Sequence, residues 1–163
     1  MAGKTDFTDE EWDRLKRGPF IAGMAISLAD PGGPIEAVKE TSATLKTVTG
    51  AEDGSRGPFI GALAGEVVAQ ARERKNPLHD FKPKGALAGQ EILEELGAVN
   101  GIVTEKASAE EADAYRAWLK DAAQEAANAA KEGGFFGFHA ERVSQGEQDM
   151  LDRLGKVLSA PAA

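Results

Sequence analysis

SAEEADAYRAWLKDAAQEAANAAK, residues 108–131, is the stretch whose reading decides the fold. Ser108 and Glu111 spell a capping box, in which two side chains satisfy backbone N–H groups that the first helical turn leaves free. From there Ala112, Tyr115, Trp118, Leu119, Ala122, Ala126 and Ala129 recur at helical spacing, the stripe of an amphipathic helix. Gly133-Gly134 supplies the stop. One long Ala-rich helix near the C-terminus is therefore predicted.

The same punctuation runs outward from it. Ser144 and Glu147 repeat the capping box and open a last helix with Met150, Leu151, Leu154, Val157 and Leu158 inward. Its Asp149–Arg153 and Asp152–Lys156 pairs, four residues apart, suit a solvated face. On the N-terminal side a helix is predicted over 86–96, stopped by Gly97, with Val99-Asn100-Gly101-Ile102 as a tight hairpin turn. Residues 75–84 hold two prolines and read as irregular, and a helix over 58–74 starts on Pro58. Residues 51–57 read as a loop.

Before that, Ile35, Val38, Ser42, Leu45 and Val48 follow helical spacing after the DPGGP break at 30–34. Thr8 with Glu11 caps a short helix to about Lys16, and Gly18-Pro19 reads as a break that restarts the chain. The helix after it, with Phe20, Ile21, Met24 and Leu28, has no charge on any face and reads as buried all round. The expected fold class is all-α: a compact bundle of six or seven helices, one domain over residues 8–159, with flexible tails at 1–7 and 160–163.

Composition narrows the function classes. The 163 residues, 42 % hydrophobic and 28 % charged, suffice for one domain with its own core. A net charge of -8 with no basic stripe argues against nucleic acid as a partner. No cysteine is present, which removes disulfides, thiolate metal sites and a thiol nucleophile. The N-terminus lacks the apolar centre of a secretory leader, and no stretch is long and apolar enough to span a bilayer, so a cytoplasmic location is expected.

Chemistry-bearing residues are few. With only His79 and His139, neither three residues after a Glu, a four-helix di-iron site and a multi-histidine zinc site are both excluded. An oxygen-ligand site for a divalent cation stays open: Asp30 and Glu40 flank the first Gly-Pro break, and Glu132 and Glu147 flank the second, Gly-rich one. GGFFGFHAERVS at 133–144 reads as a helix end whose phenylalanines plug the core. The other reading is an apolar pocket between helices near Phe135 and His139, with backbone N–H groups of the glycines facing a ligand. No serine sits in a nucleophile elbow, and no enzyme class emerges.

Two short echoes remain: RGPFI at 17–21 and 56–60, and GALAG at 61–65 and 85–89. They read either as a duplication or as the common look of Pro-started helices rich in small residues. Their small residues also offer a seam for a homo-oligomer.

RGPFIAGMAISLADPGG with the KE that follows, and WLKDAAQEAANAAKEGGFFGFHAERVSQGE near the end, resemble an uncharacterised group of small bacterial all-helical proteins. The chain is also similar to the tellurite-resistance TerB-like helical domains, which pair helices around an acidic, Gly-containing turn followed by a Ser/Thr cap and a Glu. One such turn would run from Ala29-Asp30 to Glu40, the other from Lys131-Glu132 through Ser144 to Glu147. Pro31 and Pro34 interrupt the first, and FFGFHAER lengthens the second. That resemblance implies a divalent cation held by Asp30, Glu40, Glu132 and Glu147. The expected function is a non-enzymatic helical module that binds a partner protein or serves a stress response, with no other cofactor. The alternative is a small-molecule binder or enzyme with its pocket near Phe135 and His139.

Overall fold

The computed structural model of the chain describes residues 1–29, 34–131 and 143–161. Six α-helices lie within them: α1 (Asp9–Ala29), α2 (Pro34–Thr49), α3 (Pro58–Arg72), α4 (Ala88–Lys106), α5 (Ala109–Lys131) and α6 (Gln145–Val157). Short 3-10 turns stand at Lys4–Asp6 and Gly85–Leu87, and the described residues contain no strand. α5, at 23 residues, lies along both α1 and α2, while the last helix has only 13.

All three capping boxes form. Thr8 N–H donates to Glu11 at 2.8 Å, Ser108 N–H to Glu111 at 3.0 Å, and Ser144 N–H to Glu147 at 2.8 Å. In each the Ser or Thr hydroxyl oxygen accepts the returning bond from the glutamate's own N–H. Both partners of each box lie within one turn, so the motif is complete in the local sequence.

Gly18-Pro19 does not restart the chain; α1 runs through it as one helix of 21 residues. A proline inside a helix removes the N–H that residue i−4 expects, at a cost of about 3 kcal/mol or more. Here the orphaned carbonyl is that of Leu15, and the Tyr115 hydroxyl of α5 donates to it at 2.9 Å. Gly18 makes room for the phenol: a Cβ there would stand 2.2 Å from its oxygen. The second RGPFI behaves differently. Gly57, at φ 94°, ends a loop and Pro58 opens α3, so five identical residues serve once inside a helix and once at its start.

Gly97 does not stop α4, nor does Val99-Asn100-Gly101-Ile102 turn; both lie inside a helix that continues to Lys106. Ile92, Leu96, Val99 and Val103 keep helical spacing through the glycine, and all four are fully buried. Asn100 links helices rather than making a turn. Its amide donates to the carbonyls of Val157 and Ser159, at 2.9 and 3.2 Å, while its Oδ1 accepts from Arg116 Nε at 2.7 Å.

The core centres on rings. Phe7, Trp12, Phe59, Tyr115 and Trp118 form a chain with centroid separations of 5.5 to 6.4 Å. Phe7 belongs to the stretch set outside the domain on sequence, yet it is buried, and Ala2 N–H donates to Glu111 at 2.9 Å. Two residues expected inward face out: Leu28 is 42 % and Leu45 is 38 % exposed. α1 is thus not buried all round at its end. Among the side chains described in α2, Glu40 and Thr44 are buried together with the expected Val48.

The small residues Gly18, Gly23 and Gly61 are all taken up in approaches within the chain, to Tyr115, Thr44 and the Gly54 backbone. Among the described residues no helix is long and apolar enough to cross a membrane.

Candidate functional site: a carboxylate-floored cleft between α1 and α2

Phe20, Gly23, Met24 and Ser27 occupy one face of α1, spaced by three and four residues. Opposite them α2 presents Glu40, Thr41 and Thr44, and the segment Asn76-Pro77-Leu78 closes the third side. Together they enclose a mainly apolar cleft of about 240 Å³. Gly23 sets its depth: a Cβ there would lie 2.4 Å from Thr44 Oγ1, so only glycine lets the two helices come this close.

The floor is polar and buried. Glu40 and Thr44 are 3 % and 2 % exposed, and Phe20 beside them is 7 % exposed. The Ser27 hydroxyl donates to Glu40 Oε2. The Thr44 hydroxyl donates to the Glu40 backbone carbonyl, one turn earlier, at 3.0 Å. Both hydroxyl protons are therefore directed at Glu40, and both hydroxyl oxygens keep lone pairs to offer.

The rim is held by local turns. Asn76 Oδ1 accepts from Leu78 N–H at 3.0 Å, and its carbonyl accepts from His79 N–H at 3.2 Å. Arg74 and His79, at φ 57° and 49°, are the non-glycine residues of left-handed backbone that bracket it. Farther along, Phe81 lies against Arg17, whose guanidinium stands 5.7 Å from the ring centroid.

Among the described residues, Ser27 and Glu40 have no imidazole beside them of the kind a serine hydrolase uses. There the hydroxyl gives its proton to an imidazole, which a carboxylate only orients. His79, the histidine within the described residues, is not among the cleft's walls. The arrangement can hold a ligand.

The four acids named from sequence divide. Asp30 and Glu132 lie outside the described residues, as does the stretch from Phe135 to His139. Glu40 is the floor of the cleft. Glu147 is 4 % exposed and tied up in the cap of α6. Gly146 beside it packs so tightly on the end of α1 that a Cβ would lie 2.7 Å from the Ala29 carbonyl oxygen. The last turns of α1 thus meet Glu40 through Ser27, and meet the start of α6 through Gly146. Among the described residues no three His, Cys, Asp or Glu side chains gather as a metal-binding group.

The pairing of Ser27 with Glu40, thirteen residues apart on two helices, is the feature that sequence reasoning misses. A trace of it exists: Ser27 is a lone hydroxyl near the end of a charge-free helix segment that begins at Gly18. No family model matches the chain, and no curated protein or solved structure matches it.

Proposed function

We propose that this protein is a helical binding module and that its ligand is a small molecule taken into the cleft between α1 and α2. The observation that carries the reading is a buried carboxylate, with two hydroxyls turned toward its residue, at the floor of an otherwise apolar cleft. Binding sites for small molecules have this form: apolar walls for affinity and a few convergent polar groups for orientation. In this reading the long, alanine-rich α5 is the scaffold on which α1 and α2 are laid side by side. The pocket expected near Phe135 and His139 lies outside the described residues and is a separate reading.

The three methionines provide the test. Met24 lines the cleft, Met150 is buried elsewhere and Met1 is exposed. With the methionine methyl groups labelled, benzyl alcohol should shift the Met24 resonance and leave Met150 in place. A Met24 signal unmoved at tens of millimolar probe would refute the reading.

A second reading, a divalent cation at the end of α1, draws support from two separate contacts there: Glu40 of α2 bonds Ser27, and Gly146, next to Glu147 of α6, packs on Ala29. Carbonyls at a helix C-terminus carry partial negative charge and favour cations. This is the cation site of the TerB-like resemblance, with Asp30 and Glu132 as its further ligands. A partner protein or stress role belongs with this reading, the cation holding together the surface that the partner meets.

A further inference from the structure

We propose that the exposed segment from Arg72 to Leu87 is a docking surface for a short acidic peptide segment of another protein. The surface is independent of the floor of the cleft and stands on charge and exposure beyond the end of α3. Arg72, Arg74, Lys75, Lys82 and Lys84 fall within the segment against Glu73 and Asp80, in a chain whose net charge is -8. The excess of acid therefore lies outside these residues. All five cations are exposed. Lys75 pairs with Glu73 at 2.6 Å. Among the described residues, Arg72, Arg74, Lys82 and Lys84 form no ion pair. Like charges gathered without counter-charges repel one another, and an acidic partner relieves that repulsion.

The segment is held in shape before any partner arrives. Lys75 N–H closes the end of α3 on the Gln70 carbonyl at 3.0 Å, and Phe81 N–H donates to the Leu78 carbonyl at 2.9 Å. Leu78 is seated in the cleft wall and Phe81 lies against Arg17, which anchors the backbone between the two groups of cations. A surface already ordered loses less entropy on docking. Lys82 and Lys84 are two residues apart, the spacing that puts side chains on one side of an extended chain, and Lys84 is extended at φ -138°, ψ 149°. Leu87, 61 % exposed, adds an apolar contact beside them. Glu91 and Glu94 stand exposed about one and two turns farther along α4. A nucleic-acid duplex or an anionic bilayer is a broad array of negative charge and would meet those acids within a Debye length of about 8 Å. A peptide is narrow enough to meet the cations and Leu87 alone.

The test follows the backbone amide resonances of the full chain as a short acetylated peptide of glutamates and two leucines is added. Its glutamine counterpart, phosphatidylserine vesicles and duplex DNA are the other arms. The glutamate peptide is expected to shift the amides of residues 72–87 and to bind roughly tenfold more weakly in high salt, as exposed charge pairs do. Lys82→Glu combined with Lys84→Glu should weaken it by roughly tenfold or more at an unchanged melting temperature. Leu87→Ser should weaken it several-fold and leave the salt dependence as it was. Equal binding of the glutamate and glutamine peptides would overturn the proposal, as would shifts centred outside residues 72–87. Tighter binding to vesicles or DNA than to the peptide would overturn it in favour of that class. Salt-sensitive self-association through these residues, with no response to the peptide, would overturn it in favour of a second copy of the chain.

Discussion

Gly18 stands where almost any other residue would suit a helix better. Alanine in place of a mid-helix glycine usually gains about 1 kcal/mol. At this position the added carbon would lie 2.2 Å from the Tyr115 hydroxyl and 3.0 Å from Leu119 Cδ2. Gly18→Ala is therefore expected to destabilise the protein by about 1–3 kcal/mol, as overpacking does. Tyr115→Phe should cost a similar 1–3 kcal/mol, because the Leu15 carbonyl is then buried without a donor. The double variant should lose less than the sum by at least about 0.5 kcal/mol, since the atom that the new methyl strikes has gone. Urea denaturation of the four proteins measures this, and strict additivity would show that glycine and phenol are not coupled. The proline beside this glycine was legible only as a break. Its penalty is offset by a hydroxyl one hundred residues beyond the Leu15 carbonyl that it meets, which no local pattern contains.

At the scale of elements, α1 and α4 are joined by charge. Glu95 of α4 accepts from Arg14 Nε and Nη2 at 2.9 and 2.7 Å, and from Arg17 Nη2 at 3.0 Å. Burial pushes the Glu95 carboxyl up, but the two arginines outweigh it and hold it below the ordinary range. The folded state thus favours the ionised form, and the unfolded state binds the proton more readily. The resulting stability is complete above the unfolded carboxylate pKa of about 4.3 and is lost as pH falls through the lower, folded value. Glu95→Gln should flatten the fall in urea midpoint below about pH 5. Glu66 and Glu111 are held low as well, so the slope becomes shallower without vanishing. Parallel pH profiles for wild type and variant would refute the role of this junction. The helix starts were legible because each cap is complete within four residues. The length of α4 was not, because Gly97 and Asn100-Gly101 look locally like a stop and a turn. What carries the helix onward is burial of Val99 and Val103 and the grip of Asn100 on the end of α6. The cleft was half legible: Glu40 stood out as an acid beside a break, but its meeting with Ser27 depends on how closely two helices cross at Gly23.

For the molecule as a whole, an excess of eight negative charges means that any cation adds some stability by screening. A divalent site at the end of α1 must do more than that. At a hundredfold excess over its dissociation constant, Ca²⁺ or Mg²⁺ should add about 2.7 kcal/mol to the folded state. The rise in melting temperature should exceed that in Na⁺ at matched ionic strength and should disappear in Glu147→Gln, which preserves the capping box because glutamine also serves there. Identical melting curves in chelator and in Ca²⁺ would remove the cation and leave the cleft reading standing. A different consequence follows from how the two ends of the chain are fastened. Ala2 is held by Glu111, and Val157 and Ser159 are held by Asn100, which Arg116 grips in turn. The first of these is fastened to α5 directly and the second through Asn100 and Arg116, so the described backbone traces an open loop with both ends tied to the first third of α5. A short bridge from residue 161 back to residue 2 would close it, and the chain could be cut afresh in the exposed stretch from 73 to 76. Such a rearranged chain should keep the bundle while freeing one wall of the cleft, separating in a single molecule what the helices need from what the ligand needs.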